Sequence, residues 1–548
     1  MSRDVAGLPK TQYAVQLTGP GRLTLNAQKA VVRPGPHQVL VRVEAVGLCF
    51  SDLKLLKQFS AHVRKGEVVS GVAPEVLAEI PSYVPGERPT VPGHEVTCRI
   101  VAVGSKVRRH KVGERCLVQT DYRAIRTAGS NAAFGYNFEG GLQEYVIMDE
   151  RVIIDPDTGE RFLIPVPERL SASAIALVEP WACVEESYVN VERRTLKAGG
   201  RLLVVSHDAS RRTAPPGLPH APQGGPAQVI VGLPSDAARQ ADESFDDIIY
   251  FGADKAVLEA LNDKLSARGI LNVVLGGRKI GQPVSVGVGR VHYGMTRWIG
   301  TCGSDAAESY RTIPATGEVR PGDCVVVIGA GGPMGQMHVI RALCSGIKGL
   351  RVFGADVDDA RLESLGRKAL PMAAANGVAL HLVNTARSPM PERPSYVALM
   401  APLGLLVAEA VRTSGPGCLI NIFAGIPAPT RQDLDLDTYI GNRCFMFGTS
   451  GSSLGDMKIV LEKVERGQLD TDCSVDAVSG MAGAVAGIAA VENRTLSGKI
   501  IVYPMLHDLG LIPLAAMGNH LPRVAAKLEN GRWCRAAEDE LLKAAASR

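Results

Sequence analysis

The chain has 548 residues, 46% hydrophobic and 21% charged, with a formal net charge of +4 and no low-complexity tract. That length suits roughly two to four domains with substantial cores, which excludes a small stapled module, a fibre or a disordered chain. A near-neutral balance, dispersed basic residues and only 5% aromatic residues exclude a nucleic-acid-binding surface as the default reading.

The opening "MSRDVAGLPKTQYAV" has no apolar run of signal-peptide length, and no stretch reaches the roughly 18 apolar residues of a membrane span. The most apolar segment, "AVSGMAGAVAGIAAV" (477–491), reads as a buried helix. Eleven cysteines without a CxxC pair favour free thiols in a reducing compartment over a disulfide framework. The expectation is a cytoplasmic protein.

Residues 1–192 carry short alternating runs such as "QVLVRVEAVG" and "RIVAVGSKV" between turn residues, a pattern that predicts a β-rich, barrel-like domain. Three segments in it carry candidate metal ligands: "GLCFSD" with Cys49, "VPGHEV" with His94 and Glu95, and "LVEPWACV" with Glu179. Each alone is unremarked, since buried cysteines and surface glutamates are common. Together they supply the thiolate, imidazole and carboxylate from which a catalytic zinc site with an open position can be built.

From about residue 195 strand-like runs alternate with helical stretches, which predicts parallel α/β units. "GILNVVLGG" (269–277) matches "GCLINIFAG" (417–425), and "IGTCGS" (299–304) matches "FGTSGS" (447–452), both at an offset of 148 residues. General similarity among βαβ units explains the strand character but not the constant offset, so the reading is a duplicated, Rossmann-like domain. In the first copy, 193–316, the first strand leads into "SHDASRRTAPPGLPHAPQGG", a Pro-rich loop without a glycine turn. "AQVIVGL" falls near "GVALHLV" at the same offset, so this copy reads as keeping the later strands and losing the second. It is expected to bind no dinucleotide.

The second copy, 317–465, contains "VVIGAGGPMGQ" (326–336), a strand running into a glycine-rich turn and a helix. Gly329, Gly331 and Gly335, with Gly332 and Pro333 between them, allow a sharp turn and close approach of a pyrophosphate to a helix N-terminus. The spacing is G-x-G-x-x-x-G, one residue longer than the usual fingerprint, and glycines alone are weak evidence. The flanking strand and helix strengthen it, as does Asp356, about 20 residues beyond the last glycine, where a carboxylate grips ribose hydroxyls. An aspartate there repels a 2′-phosphate and favours NAD over NADP. Arg361 either approaches the adenine face or is a solvated helix residue. Residues 466–548 return to the first domain and end in a helical tail.

With these motifs in this order, the chain resembles the zinc-dependent medium-chain dehydrogenase/reductase superfamily, of the alcohol and sorbitol dehydrogenase type. The matching stretches are "GLCFSD", "PGHE", "VAVGSKVRRHKVGER", "GGLQEYV", "VEP", the glycine turn and "GKIIVYP" (498–504). They cover nearly the whole chain except the extra copy and the tail after about residue 510. "FGYNFEGG", "LVEPWACV" and "INIFAG" resemble the polyol and sugar-phosphate branch. The resemblance implies an α/β protein with a β-rich GroES-like catalytic domain and two tandem Rossmann-like domains, the first degenerate.

It also implies that Cys49, His94 and Glu179 are zinc ligands, with Glu95 a nearby or alternating fourth, and that Ser51 relays the alcohol proton. Lys54 stands where many relatives have a histidine relay, which points to a different proton exit or to a contact with a substrate phosphate or hydroxyl. The four-cysteine structural zinc lobe is missing, since no further cysteine lies between Cys116 and Glu144; one catalytic zinc is expected. Cys98 replaces a glycine usual after "GHE", and Tyr136 and Phe138 are either pocket walls or ordinary core aromatics. The implied reaction is hydride transfer between NAD and a secondary alcohol or ketone of a polyol, sugar or sugar phosphate. A zinc-free quinone or enoyl reductase and a non-catalytic scaffold are the alternatives. Coenzyme domains of this superfamily commonly pair through edge strands. The degenerate copy is therefore expected to pack on the intact one through the strands leading into "GTCGS" and "GTSGS", giving a monomeric pseudo-dimer, with a homodimer as the alternative. No nucleic-acid or membrane partner is expected.

Overall fold

Valines at alternate positions of Gln38–Gly47 make a strand whose Val39, Val41 and Val43 are fully buried, as the two-residue period of a pleated strand requires. This strand pairs antiparallel with Glu95–Val103 along one edge and with Tyr145–Asp149 and Lys499–Val502 along the other. Arg115–Val118, Leu163–Pro165, Val475–Ser479 and Ile512–Pro513 complete an eight-stranded sheet. The structure, a computed structural model, describes residues 7–211, 213–390 and 393–546. It divides into two units, residues 1–183 with 452–548 and residues 184–451. No helix of the described residues is long and apolar enough to cross a membrane.

The apolar segment 477–491 is only partly helical. Val475–Ser479 is a strand parallel to Lys499–Val502, and the helix is Met481–Glu492. Gly480 makes the turn between them, because a Cβ there would lie 1.8 Å from the Leu506 carbonyl oxygen. The helix buries Met481, Ala484 and Ile488 and leaves Ala482, Val485 and Ala489 exposed, so its uniform apolarity reflects its alanines rather than complete burial.

The C-terminal helix Arg535–Ala546 returns Glu538 to this unit. Its carboxylate accepts from the backbone N–H of Ala172 (2.6 Å) and Ser173 (2.9 Å), capping the free donors at the start of helix Ala172–Ala176. Ser171 and Ser173 hydroxyls donate to the buried Asp472 at 2.5 and 2.6 Å.

In residues 184–451 the later sheet runs Ala379–Asn384, Arg351–Asp356, Cys324–Ile328, Tyr396–Leu399, Leu419–Ile422, Phe445–Phe447, all parallel. In chain order this is 3-2-1-4-5-6, the doubly wound dinucleotide-binding arrangement. The earlier sheet has five parallel strands: Gln228–Gly232, Arg201–Ser206, Phe245–Phe251, Leu265–Val274 and Arg297–Thr301. Gln228–Gly232 pairs directly with the first strand of its sheet, where Arg351–Asp356 lies in the later one. The second position is therefore filled, and among the described residues the outermost one has no strand.

The 148-residue offset extends to the elements that join the two sheets: strands Val284–Val286 and Gln432–Leu434, and helices Val288–Tyr293 and Leu436–Gly441. The two short strands pair with each other, antiparallel, with Ser285 opposite its own counterpart Asp433. That register defines a local twofold axis between the copies. Tyr439 lies close to it, donating its hydroxyl to the Trp298 carbonyl (2.8 Å) and accepting from the N–H of Met446 (2.9 Å), the residue equivalent to Trp298. Leu271, Val273, Val286, Val291 and Trp298 share one buried core with Ile420, Ile422, Leu434, Tyr439 and Met446.

Burial, reinforced by the carboxyls of Asp470 and Glu538, pushes Asp472 up to about 8. An unfolded aspartate titrates near about 3.9, so between these values the folded state keeps a proton that the unfolded state releases. The stability this contributes at low pH is lost as pH rises from about 4 to about 8. Denaturant titrations across that range are expected to show the fall, no steeper than about 1.4 kcal/mol per pH unit from this group, and Asp472→Asn is expected to flatten it.

Candidate metal and nucleotide sites

Cys49 follows the central strand and is the N-cap residue of helix Phe50–Gln58. Asp52, in the first turn, accepts from the Cys49 N–H through Oδ2 (3.1 Å), which closes that turn. Its Oδ1 lies 3.0 Å from His94 Nδ1. His94 immediately precedes strand Glu95–Val103, in which Glu95 is the cross-strand partner of Gly47. A side chain at position 47 is excluded, since its Cβ would lie 2.0 Å from Glu95 Oε2.

This arrangement brings ligand atoms of Cys49, His94 and Glu95 within 4.8 Å of one another. Ser51 Oγ donates to Cys49 Sγ (3.1 Å) and lies 3.1 Å from His94 Nε2. Lys499 is ion-paired to Glu95 Oε1, while Glu95 Oε2 is buried without a hydrogen-bond partner. Burial alone would lower the His94 imidazole, but the charge and hydrogen bond of Asp52 outweigh it and raise it well above its ordinary value. Lys499, despite burial, is held charged by Glu95 and Cys49.

Glu179, in the first turn of helix Val178–Val189, stands outside the three-residue set. Burial pushes its carboxyl up to about 7, with Glu95 adding to the rise and His94 and Lys499 opposing it. Its Oε1 accepts from Cys183 Sγ at 3.8 Å. The carboxylate within that 4.8 Å grouping is Glu95, placed by strand pairing across from Gly47, while the Glu179 carboxyl feels the charges of His94 and Glu95. The carboxyls of Asp52, Glu95 and Glu179 are buried here beside the half-buried thiol of Cys49, with Lys499 and the His94 imidazole among them. An unpartnered carboxylate oxygen beside a thiol and an imidazole fits a divalent cation of zinc's ligand preference.

Sequence reasoning passed over Asp52 and Lys499. Asp52 is visible in hindsight as the acid three residues after an N-cap. Lys499 is 404 residues from its partner, and no spacing signals it.

Of the other candidates, Tyr136 lies with its ring centroid 5.9 Å from His94 and 5.1 Å from His62, on the metal-ligand side. Phe138 packs against Tyr83 and Tyr122 at 5.1 and 5.5 Å within the main core, so it is a core residue. Lys54 is exposed. Burial first, then the charges of Arg64 and Lys54, hold the His62 imidazole down to about 4. Cys98 is fully buried opposite Cys116, where it fills core space.

In the later sheet, strand Cys324–Ile328 ends at Gly329, which has φ +81°. The chain turns through Gly331 and Gly332, and Gly332 is the N-cap residue of helix Pro333–Cys344. Gly335 lets the helix sit on the turn, because a Cβ there would lie 2.1 Å from the Gly329 carbonyl oxygen. Asp356 ends strand Arg351–Asp356 and is drawn to the turn: Oδ2 accepts from Gly331 N–H (2.9 Å) and Oδ1 from the N–H groups of Val357 (2.8 Å) and Asp358 (3.2 Å). Arg361, in the first turn of helix Asp359–Asn376, has its Cβ beside Gly331 and its Nε 3.7 Å from Asp358. Glycine turn, helix start, Asp356 and Arg361 are therefore adjacent. In the earlier copy, among the described residues no helix intervenes between Arg201–Ser206 and Gln228–Gly232, and the latter strand ends at Gly232 rather than at an acid.

Residues 35–157 match the family model for the alcohol dehydrogenase GroES-like domain. An uncharacterized protein, YggP, of Escherichia coli (strain K12) is 25% identical over 54% of this chain and 75% of its own length. The mannitol-1-phosphate 5-dehydrogenase of Aliivibrio fischeri is 24% identical over 41% of this chain and 57% of its own length. The crystal structure of 2R,3R-butanediol dehydrogenase from Bacillus subtilis superposes with a TM-score of 0.51 at 13% identity, covering 90% of this chain and all of that one. Residues 35–157 are thus similar to the alcohol dehydrogenase GroES-like domain, and the chain shares the fold of that butanediol dehydrogenase.

Removing the carboxylate that orients a ligating histidine typically costs 10- to 100-fold in metal affinity. Asp52→Asn is expected to weaken zinc binding by about that factor in competition with a chromogenic chelator. Affinity equal to wild type would contradict the role of Asp52.

Proposed function

We propose that this chain is a zinc-dependent oxidoreductase that transfers a hydride between NAD(H) and a secondary alcohol or ketone of a polyol, sugar or sugar phosphate. The observation that carries the reading is the buried, unpartnered Glu95 Oε2 set among Cys49, His94 and Lys499. A zinc-free quinone or enoyl reductase, or a scaffold, would gain nothing from these costly buried acids.

Cys49, His94 and Glu95 would hold the ion, with Glu179 close enough for its carboxyl to feel the charges of His94 and Glu95. Zinc, when bound, supplies a Lewis acid that acidifies an alcohol or polarises a ketone. Asp52 keeps the proton of His94 on Nδ1 and leaves Nε2 as a ligand. Lys499 pins one oxygen of Glu95 and leaves the other for the metal. Ser51 Oγ borders the ligand atoms and serves as the first acceptor of the alcohol proton, and the exposed Lys54 further along the same helix marks a route to solvent or a contact for a substrate phosphate. Asp356 selects NAD over NADP by repelling a 2′-phosphate. Gly329, Gly331, Gly332 and Gly335 admit the pyrophosphate, and Arg361 borders the adenosine half. The first copy, without turn or acid, binds no dinucleotide.

The substrate class rests on the polyol phosphate named for the Aliivibrio fischeri relative and on the likeness of "FGYNFEGG", "LVEPWACV" and "INIFAG" to L-sorbose-1-phosphate reductase. One zinc per chain is expected.

NAD reduction against a panel of polyols and their phosphates is expected to proceed, to stop on chelation and to return with zinc. Ser51→Ala is expected to lower kcat about 100-fold or more while metal content is unchanged. Activity indifferent to chelation would shift the assignment to the zinc-free reductase; no turnover with any substrate by zinc-loaded protein would favour the scaffold.

We also propose that the twofold pairing of the copies replaces a subunit partner, so that the protein is a monomer built as a pseudo-dimer. Sedimentation at the mass of one chain is the expected result. A homodimer whose interface is the edge of the later sheet would refute it.

A further inference from the structure

The degenerate copy does more than cover an edge. At the end of helix Val288–Tyr293 it places His292 and Tyr293 over the C-terminal end of strand Leu419–Ile422 of the intact copy. His292 Nδ1 lies 3.1 Å from the Ile422 carbonyl oxygen, the last of that strand. The Tyr293 hydroxyl reaches Gly425 so closely that a Cβ there would lie 2.5 Å from it, yet Tyr293 remains 42% exposed. The two rings are perpendicular at 4.6 Å between centroids.

The position has a chemical meaning. In a 3-2-1-4-5-6 sheet a dinucleotide lies across the carboxyl ends of the strands, one mononucleotide on each half. Asp356 marks the adenosine half, on the second strand. Leu419–Ile422 is the fifth strand, so its C-terminal end belongs to the nicotinamide half. The local twofold supplies an internal control: the counterparts of His292 and Tyr293 are Ile440 and Gly441, and the former packs against Gly300 with no ring or polar group. The aromatic, hydrogen-bonding pair therefore occurs only where it faces the copy that keeps the glycine turn.

We propose that Tyr293, held by His292, is a cofactor-contacting residue contributed by the degenerate copy, its hydroxyl hydrogen-bonding to the nicotinamide mononucleotide half of the dinucleotide. The assignment rests on the NAD reading above. It gives the first copy a part in cofactor binding although that copy has no nucleotide site of its own.

The test is equilibrium binding of NADH and of ADP-ribose, which lacks the nicotinamide, to the full chain and to Tyr293→Phe and Tyr293→Ala. Loss of one hydrogen bond corresponds to about a 3- to 10-fold change in affinity. The phenylalanine variant, which keeps the ring and its packing, is expected to weaken NADH by about this factor, and the alanine variant by at least as much. ADP-ribose is expected to bind all three proteins equally. NADH affinity unchanged in both variants would overturn the proposal, as would an equal loss for NADH and ADP-ribose, which would mark Tyr293 as a packing residue. Wild-type protein that binds neither compound would overturn the NAD reading itself, and this proposal with it.

Discussion

A buried excess of acid is the constraint around which the first unit is organised. Asp52, Glu95 and Glu179 are buried beside the half-buried Cys49, with Lys499 and His94 as the opposing basic groups. Such a cluster is unfavourable unless a cation or protons compensate it, and the surrounding architecture holds it together. Gly47 has no side chain, so Glu95 can turn inward. Asp52 caps one helix and orients His94 at once. Glu538, from the C-terminal tail, caps helix Ala172–Ala176, which leads through Leu177 into the helix bearing Glu179. Residues from distant parts of the chain are thus committed to one small volume.

The second unit meets a different physical problem. Each parallel sheet leaves an edge with unpaired backbone groups and apolar side chains. The duplication meets the apolar part of it within the chain: side chains of both copies share one buried core, and Val284–Val286 pairs with its counterpart Gln432–Leu434 in a separate two-stranded sheet. The two copies differ at His292 and Tyr293, whose counterparts are Ile440 and Gly441.

Legibility in the sequence followed the range of the forces involved. The glycine turn, the strand before it and Asp356 were readable because a phosphate-binding turn is local chemistry with fixed spacing. The duplication was readable because a constant offset survives divergence, although the offset alone placed Gln228–Gly232 with the third strand while the sheet puts it in the second position. Cys49, His94 and Glu95 were visible as residue types in known surroundings, but which of Glu95 and Glu179 joins the set depends on strand register. Lys499 carries no local signal at all. The segment 477–491 misled because alanine and glycine are apolar by composition in strand and helix alike, and Gly480, which separates the two, acts through a close approach to the distant Leu506. Phe138 was indistinguishable from Tyr136 by type, and only packing separates the core ring from the one beside His94.

The most direct measurement is zinc K-edge X-ray absorption on the purified full-length chain. One zinc with a single sulfur ligand near about 2.3 Å and nitrogen or oxygen ligands near about 2.0–2.2 Å is the result predicted by a site of Cys49, His94 and a glutamate. Two or more sulfur ligands, or zinc that Cys49→Ser retains with unchanged coordination, would contradict it.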